Sequence, residues 1–568
     1  LFRSSNLKRA LVFIVALAMM AASMTAFAAK SDLADNLGDF SSYGTGNIEP
    51  YEEPIEMSVG FGISLSKTFP EGDSYENNVW SRAYADELGI NLKLAFTTAD
   101  SADKVNTLIA SGDIPDMLDV TQSQLKMLSN SGLIRDDLYE VYQANAGSGM
   151  RQIIEGVCGD AAIAQCTFDG KMMAIPVSNT SPGEEVPVLW LRTDWMEKLG
   201  LEDPQNWDDL YNIIKAFVEQ DPDGNGQNDT IGLTFTKNLW DTNFQMDGLF
   251  NIFGSFPKRN FWVEDPENPD QVIFGAFADE TKTALETVSQ MYAEGLIDKE
   301  FAVNDSSAAQ QHIASGKCGV VIGAVWTCNS MLYTSVDNDP NADWKALPLP
   351  GLDSATTKVG ANYPITRYLV FNKDFEHPEA LIKMVNLQFE KCFSEDSTQE
   401  IYDTYIEDAS GNSGFVAFQI YPWGIFLPAV KNEMAADEIV NLGLSSEECD
   451  IWARPFARHV EAYEAGDTSA WRWYRFFGPD GGHLITGQYI REDLYNMNHY
   501  YGPSTDTMAE NMALIDDLVN EMFVKIIMGE EPVDSFDNYK AQAEALGLND
   551  MAAEANAWLA ESKASEAA

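Results

Sequence analysis

The strongest constraint on the fold is a switch of hydrophobic period, from the alternation of a strand to the three-and-four spacing of a helix and back, in the first ordered stretch. In "IEMSVGFGIS" the apolar residues Ile55, Met57, Val59, Phe61 and Ile63 alternate with small or polar ones, as in a strand with a buried face. A helical stretch around Trp80 to Leu88 follows, and in "INLKLAFTT" Ile90, Leu92, Leu94 and Phe96 alternate again. Strand, helix and strand at this spacing make a βαβ unit and place the chain in the α/β class.

The same switch recurs downstream. "PQNWDDLYNIIKAFVEQD" reads as a helix with Trp207, Leu210, Ile213, Ile214, Phe217 and Val218 on one face and Asn206 as its cap. "ETKTALETVSQMYAEG" is a helix stopped by Gly295, and "HPEALIKMVNLQF" one with Pro378 in its first turn. "KCGVVIGAVW" reads as a buried strand ending in Trp326, and "YLVFNK" as another; the last hundred residues read as mostly helical. With 568 residues, 45% hydrophobic and 11% aromatic, the chain has core for two or three domains.

Between the capped helix and the strand "IGLTF" lies "DPDGNGQND". Asp221, Asp223 and Asn225 fill the first, third and fifth positions of a calcium loop, Gly226 makes the turn, and Gln227 offers a backbone carbonyl. The twelfth position, normally a bidentate glutamate, is Gly232, so this is not a sensor EF-hand. An ion-free turn rich in Asp, Asn and Gly is the competing reading. Calcium is preferred because like charges packed into one short loop repel unless a cation sits among them. The loop is far in sequence from any catalytic partner, so the expected ion is structural.

Residues 1–28 carry Arg3, Lys8 and Arg9, an apolar run from Ala10 to Ala22, and the small-x-small ending Ala26-Phe27-Ala28. That is a secretory signal peptide with cleavage expected after Ala28. No cysteine follows the apolar run, so a secreted or periplasmic protein without a lipid anchor is expected; the first cysteine is Cys158. Residues 29–54 read as a flexible linker. The 88 acidic against 36 basic residues give a net charge of -52, which repels phosphate backbones and argues against nucleic acid or an anionic membrane surface. Salt adaptation would give the same charge. The 6 cysteines are too few for a disulfide scaffold; Cys158 with Cys166 and Cys318 with Cys328 read as free or locally paired.

Taken in order, "ELGINLKLAF", "LIASGDIPDML", "FDGKMMAIP", the run from Leu189 to Phe235, "SGKCGVVIGAVW", "HPEALIKMVNLQFE" and "MFVKIIMGEEPVDSFDNYKAQAEALGL" resemble the bacterial extracellular solute-binding proteins of family 1. The resemblance is to the branch holding the alginate-oligosaccharide-binding and LplA-like proteins. It implies a two-lobe periplasmic-binding-protein fold (type II, sugar-binding class) with an interlobe cleft and a helical C-terminal region. The expected division puts 55–177 with 360–392 in the N-terminal lobe, 188–350 with 393–550 in the C-terminal lobe, and a helical tail at 551–568. Crossings are expected near Ile175 to Val188 and Pro350 to Tyr363. In the alginate-binding relatives an acidic residue eight positions after the first ligand closes the calcium loop, and Asp229 stands there; Thr230 replaces a further acidic ligand. Met172 and Met173 stand where relatives often carry a tyrosine.

Sugars pair apolar C–H faces with a rim of hydroxyls, so their sites combine flat aromatic platforms with polar groups. Trp326 is placed for this at a strand's carboxyl end. Trp240 follows the strand after the acidic loop, Tyr363 lies at the expected return crossing with Arg367 nearby, and Trp423 sits between prolines. "SAWRWYRFFGPDGG" is a basic-aromatic patch that, as a strand, would turn Trp471, Trp473 and Arg475 to one face. The resemblance implies a monomeric receptor that captures an oligosaccharide and delivers it to an ABC permease, without catalysis. The alternative is a secreted calcium-containing polysaccharide-degrading enzyme. No G-x-S-x-G or H-E-x-x-H motif is present, and the 5 histidines are scattered, but a carboxylate pair could hide among 88 acidic residues.

Overall fold

The computed structural model describes residues 41–63, 69–98, 101–178, 182–394, 398–405 and 454–566. The chain opens with strands β1 (Ile55–Gly62), β2 (Ile90–Thr98) and β3 (Met117–Val120), then helices α1 (Gln122–Ser131) and α2 (Asp160–Cys166) and strand β4 (Ile175–Val177). Strand β5 (Val188–Arg192), helix α3 (Trp207–Glu219), strands β6 (Ile231–Leu233), β7 (Cys318–Gly323), β8 (Trp344–Leu347) and β9 (Val359–Ala361) follow. Next come β10 (Arg367–Phe371), α4 (Glu379–Phe393), α5 (Trp471–Phe477), β11 (Tyr495–Met497), α6 (Asp506–Ile527) and α7 (Leu548–Glu566).

Two sheets divide these elements. The first runs β2-β1-β3-β10-β4, and the second β8-β5-β7-β6. β1 pairs in parallel with β2 and β3, while β10 runs antiparallel to β3 and β4. All six residues of β7 are buried, as a strand flanked by β5 and β6 requires. Each sheet has its own core. Met57, Val59, Leu118, Leu369 and Val385 belong to one, and Trp190, Phe217, Val320, Phe250 and Phe523 to the other. This is the two-lobe α/β fold expected.

Local chemistry sets the helix that leads to the acidic loop. The Asn206 side chain accepts from the Asp209 N–H at 3.0 Å, two aspartates sit in the first turn, and Trp207, Leu210, Ile213, Ile214 and Phe217 are buried on one face.

The chain passes from the first sheet to the second between Val177 and Val188 and returns between Ala361 and Arg367. The return is shorter than expected because β9 pairs with β11 and its Val359 and Ala361 are buried in the second core. Residues 360–361 thus belong to the second lobe. Conversely, Tyr405, expected in the second lobe, packs its ring on Trp80 of the first, 4.7 Å between centroids.

Two further expectations change, and the cysteines take one of the two states expected of them. The segment expected to be a free linker is anchored from residue 44. The Gly44 carbonyl accepts from Ser148 N–H at 2.8 Å, Asn47 N–H donates to the Asn145 carbonyl at 2.9 Å, and the Tyr51 hydroxyl meets Glu379 at 2.6 Å. The expected tail is no appendage, because Met551, Ala555 and Leu559 of α7 are buried in the second core. Cys158, Cys166, Cys318 and Cys328 are buried free thiols, and burial pushes those of Cys158 and Cys318 up to about 12. Among the described residues no helix is long and apolar enough to cross a membrane.

Candidate functional site

A cavity of about 240 Å³ lies between the lobes at the return crossing. The first lobe contributes Thr121 and Gln122 at the start of α1, Gln165 of α2 and Tyr368 of β10. The second contributes Arg259, Asn260, Asn498, Tyr500 and Gly502. The crossings themselves supply Glu185 and the run from Asn362 to Thr366.

Backbone pairing explains this convergence. β9 and β11 run in parallel register, so Asn362 and Asn498 emerge side by side just beyond them. Asn498 then ties three segments together. Its amide donates to the Asn260 carbonyl (2.9 Å) and Asn362 Oδ1 (3.2 Å), and its Oδ1 accepts from the N–H groups of Trp262 (3.1 Å) and Tyr500 (3.2 Å). On the first lobe, Thr121 and Gln124 form a reciprocal cap that fixes the start of α1 against the cavity. Tyr368 and Gln165 share a hydrogen bond.

Aromatic rings line one side. Tyr363 is half-buried, and that burial raises its hydroxyl pKa. Its ring lies 5.9 Å from Tyr501, which in turn meets Trp558 edge-on at 5.1 Å. Trp558 also meets Tyr500 at 5.6 Å. The indole lies directly over Gly502, where a Cβ would come within 2.7 Å of its ring carbons, so a larger residue would push the platform away.

Of the ring and arginine residues expected to bind ligand, only Tyr363 lines the cavity among the described residues. Trp326 is half-exposed in the turn after β7, which ends at Gly323, earlier than expected. Trp240 is buried in the second core against Phe523, at 5.6 Å. Arg367 pairs with Asp119 at 2.5 Å, and burial pushes that carboxyl up to about 6 despite the guanidinium. The 471–477 stretch is helix α5, not a strand, so Trp471 and Arg475 share a face without Trp473. Trp471 Nε1 and Arg475 Nη2 both donate to Asp343, at 2.8 and 2.7 Å, and Trp473 stacks on His459 at 5.2 Å. Trp423 lies outside the described residues. Sequence reasoning missed Asn498, Tyr500, Tyr501 and Trp558. The "HYYGP" run and a tryptophan beside the core stripe of the last helix were the available signals.

The acidic loop forms a separate, exposed feature. Asp221 accepts from the N–H groups of Asn225 (3.1 Å) and Gly226 (3.0 Å), with Gly226 at φ 75° making the turn. The Asn225 amide donates to Asp223 at 2.7 Å and Asp229 at 2.9 Å, and so lies between carboxylates. Gln227 N–H donates to Asn225 Oδ1 at 2.6 Å, and Lys317 Nζ approaches Asp229 at 2.9 Å. A hydrogen bond from Asp223 holds Asp221 below the usual carboxylate range, while partial burial and the Asp221 charge raise Asp223. The carboxylates converge, but with the amide between them they are not an assembled cage. Among the described residues no group of three or more His, Cys, Asp or Glu side chains is arranged to hold a metal ion.

A family profile described as bacterial extracellular solute-binding protein matches residues 67–390. Lipoprotein LipO of Bacillus subtilis (strain 168) is 37% identical over 132 residues, 23% of this chain and 25% of LipO. The fructooligosaccharide ABC transporter substrate-binding protein FusA of Streptococcus pneumoniae serotype 4 is 30% identical over 267 residues, 44% of this chain and 47% of FusA. The matched segments thus span less than half the length of these curated relatives. Among solved structures, alginate-binding protein AlgQ2 without calcium ion is 16% identical at a TM-score of 0.60, covering 91% of this chain and 99% of that one. The S. pneumoniae FusA EF-hand mutant in complex with fructo-nystose is 17% identical at 0.59, covering 90% and 100%. At such identity the likeness is one of fold.

Proposed function

We propose that this chain, which belongs to the bacterial extracellular solute-binding proteins, captures an oligosaccharide between its lobes and delivers it to the permease of an ABC importer. The observation that carries the reading is the cavity at the return crossing, where Tyr363 and Tyr500, the latter backed by Trp558, offer ring surface and Gln122, Gln165, Asn260 and Asn362 offer amides. That is the pairing of flat apolar and hydrogen-bonding surface that a sugar requires. Because both lobes line it, a ligand touching both favours the closed state, and a permease that recognises closure reads out occupancy. FusA, a substrate-binding protein of a fructooligosaccharide transporter, supports the class of ligand. The signal-like residues 1–28 support action outside the cytoplasm, and the solute-binding family supports a carrier role in which no bond is made or broken.

The acidic loop is the calcium site of this reading. Asp221, Asp223, Asp229, the Asn225 amide oxygen and the Gln227 carbonyl would hold the ion, which supplies cohesion between α3 and β6 rather than chemistry. The crowding that raises Asp223 is what a cation would relieve. FusA and AlgQ2, of similar fold, are proteins whose solved forms include an EF-hand mutant and one without calcium ion.

Thermal unfolding is the test, run with a panel of neutral and acidic oligosaccharides, with calcium and with chelator, each mixture checked for cleavage products. A reversible upward shift with one class of sugar and no products is expected. Products from any sugar would favour the degrading enzyme. Calcium should add stability by linkage, about 3 kcal/mol at roughly a hundred times its dissociation constant. Melting unchanged by chelator would reduce the loop to a plain turn.

A further inference from the structure

A second cavity, of about 560 Å³, is bordered by Trp558. Its first-lobe wall is built from Tyr139, Gln143, Glu155 and one edge of α2, including Asp160 and Ala164. Trp558 of α7 is its contribution from the second lobe. The two cavities share their partitions. Gln165 of α2 faces the first while Ala164 and Ile163 face the second, and Tyr500 and Gly502, which line the first, pack against the Trp558 ring. The first is smaller than the roughly 300–1,000 Å³ usual for small-molecule sites, and the second falls within that range.

We infer that the second cavity holds the distal units of the same ligand, with Trp558 and Tyr139 as its platforms, and that the whole cleft selects uncharged oligosaccharides over uronic ones. Tyr139 is 47% exposed, unusual for so large a ring, and it faces this cavity. The charge argument counts what each lining group already meets. Carboxylates Glu185, Glu155 and Asp160 line the two cavities, against one cation, Arg259. Arg259 lies in the field of Asp516, whose pKa it lowers against a larger rise from burial. Glu155 is held by Arg151 at 2.8 Å and by the Tyr142 hydroxyl at 2.7 Å, which leaves Asp160 as an exposed anion in the second cavity. The arginines expected at the site meet carboxylates of the protein instead, Arg475 on Asp343 and Asp480, and Arg367 on Asp119. Among the described residues a sugar carboxylate would meet one lining cation, Arg259, against three lining carboxylates and a field set by a net charge of -52.

This inference rests on the receptor reading, and the experiment separates the two. Calorimetric titration of the wild type uses neutral gluco-, fructo- and xylo-oligosaccharides from monomer to pentamer, and galacturonic oligomers of the same lengths. Affinity is expected to climb with length for one neutral series and to be at least about tenfold weaker for the uronic one. Tyr139→Ala should weaken the longer chains by about tenfold and leave the shortest binding member unchanged, and Trp558→Ala, which also loosens Tyr500, should weaken the longer chains more than the shortest. Tyr139 is exposed, so its variant guards against misfolding of α7. Binding without a length step, or variants that weaken all lengths equally, would overturn the second cavity as a subsite. Uronic chains binding as well as neutral ones would overturn the selection by charge. No binding of any oligosaccharide would overturn the receptor reading, and this inference with it.

Discussion

The aromatic helix at 471–477 and the ring cluster of Tyr363, Tyr500, Tyr501 and Trp558 are both packed into the second lobe, and they serve opposite ends. In the helix the polar handles of Trp471 and Arg475 are taken up inside the protein, both on Asp343 and Arg475 also on Asp480, while Trp473 lies flat on His459. In the cluster the rings touch one another by their edges, at 5.1 to 5.9 Å, and Tyr363 and Trp558 border cavities. An aromatic residue is available to a ligand when its edge is packed and its face is not. Richness in Trp and Arg does not make it so.

The two groups should therefore part company under mutation. Arg475→Ala removes a guanidinium only 8% exposed and leaves Asp343 to the Trp471 indole, so about 1.5–3 kcal/mol of stability should be lost in urea unfolding, with sugar affinity of the folded protein unchanged. A parallel loss of affinity would mean the helix reaches the site after all. Tyr363→Ala should reverse the pattern, with binding about tenfold weaker by titration and stability reduced by no more than about 1.5 kcal/mol.

Asp119 sharpens the contrast at the level of ion pairs. Asp343 answers a buried arginine, whereas Asp119 is the buried partner of a half-exposed one, and burial outweighs the pairing. Its folded pKa of about 6 lies above the unfolded value of about 3.9, so the folded state binds more protons in that interval. Its contribution to stability then grows as pH falls from 7 through 6. Melting temperature should rise between pH 7 and pH 5, and Asp119→Asn should flatten that slope.

The smallest effect is expected at the contact between lobes outside the cleft. Asp506, at the first turn of α6, accepts from Asn130 at 2.9 Å and Lys126 at 3.1 Å of α1. The carboxylate is well exposed, so Asp506→Ala should cost only about 0.2–1 kcal/mol of closure, visible as a slightly larger radius of gyration in solution scattering of the ligand-bound protein. A larger loss would make this contact a main determinant of the closed state.

Local signals carried the fold further than they carried the site. The period switches identified β1 and β2 of the first sheet and the capped helix α3, because burial on one face imposes its period on neighbouring residues. Asn498 was hidden because it acts through the register of β9 on β11, strands more than a hundred residues apart whose pairing no window of sequence displays. The alternating Trp and Arg of 471–475 suggested a strand by aromatic propensity. Tertiary context decided otherwise, since one turn of helix lets Trp471 and Arg475 reach the same carboxylate. Trp558 stands one residue before Leu559 of the core stripe in α7, on the flank of the helix where a ring can serve core and cavity together.

The position of that helix bears on how the protein matures. The walls of the cleft are drawn from Thr121 to Trp558, so assembling them demands contacts across most of the chain, the kind that form late and slowly. A polypeptide halted before residue 548 would carry every strand of both sheets and still have no tryptophan over Gly502. Competence to bind should thus trail the appearance of secondary structure during refolding, with ligand-dependent protection the last signal to reach its plateau.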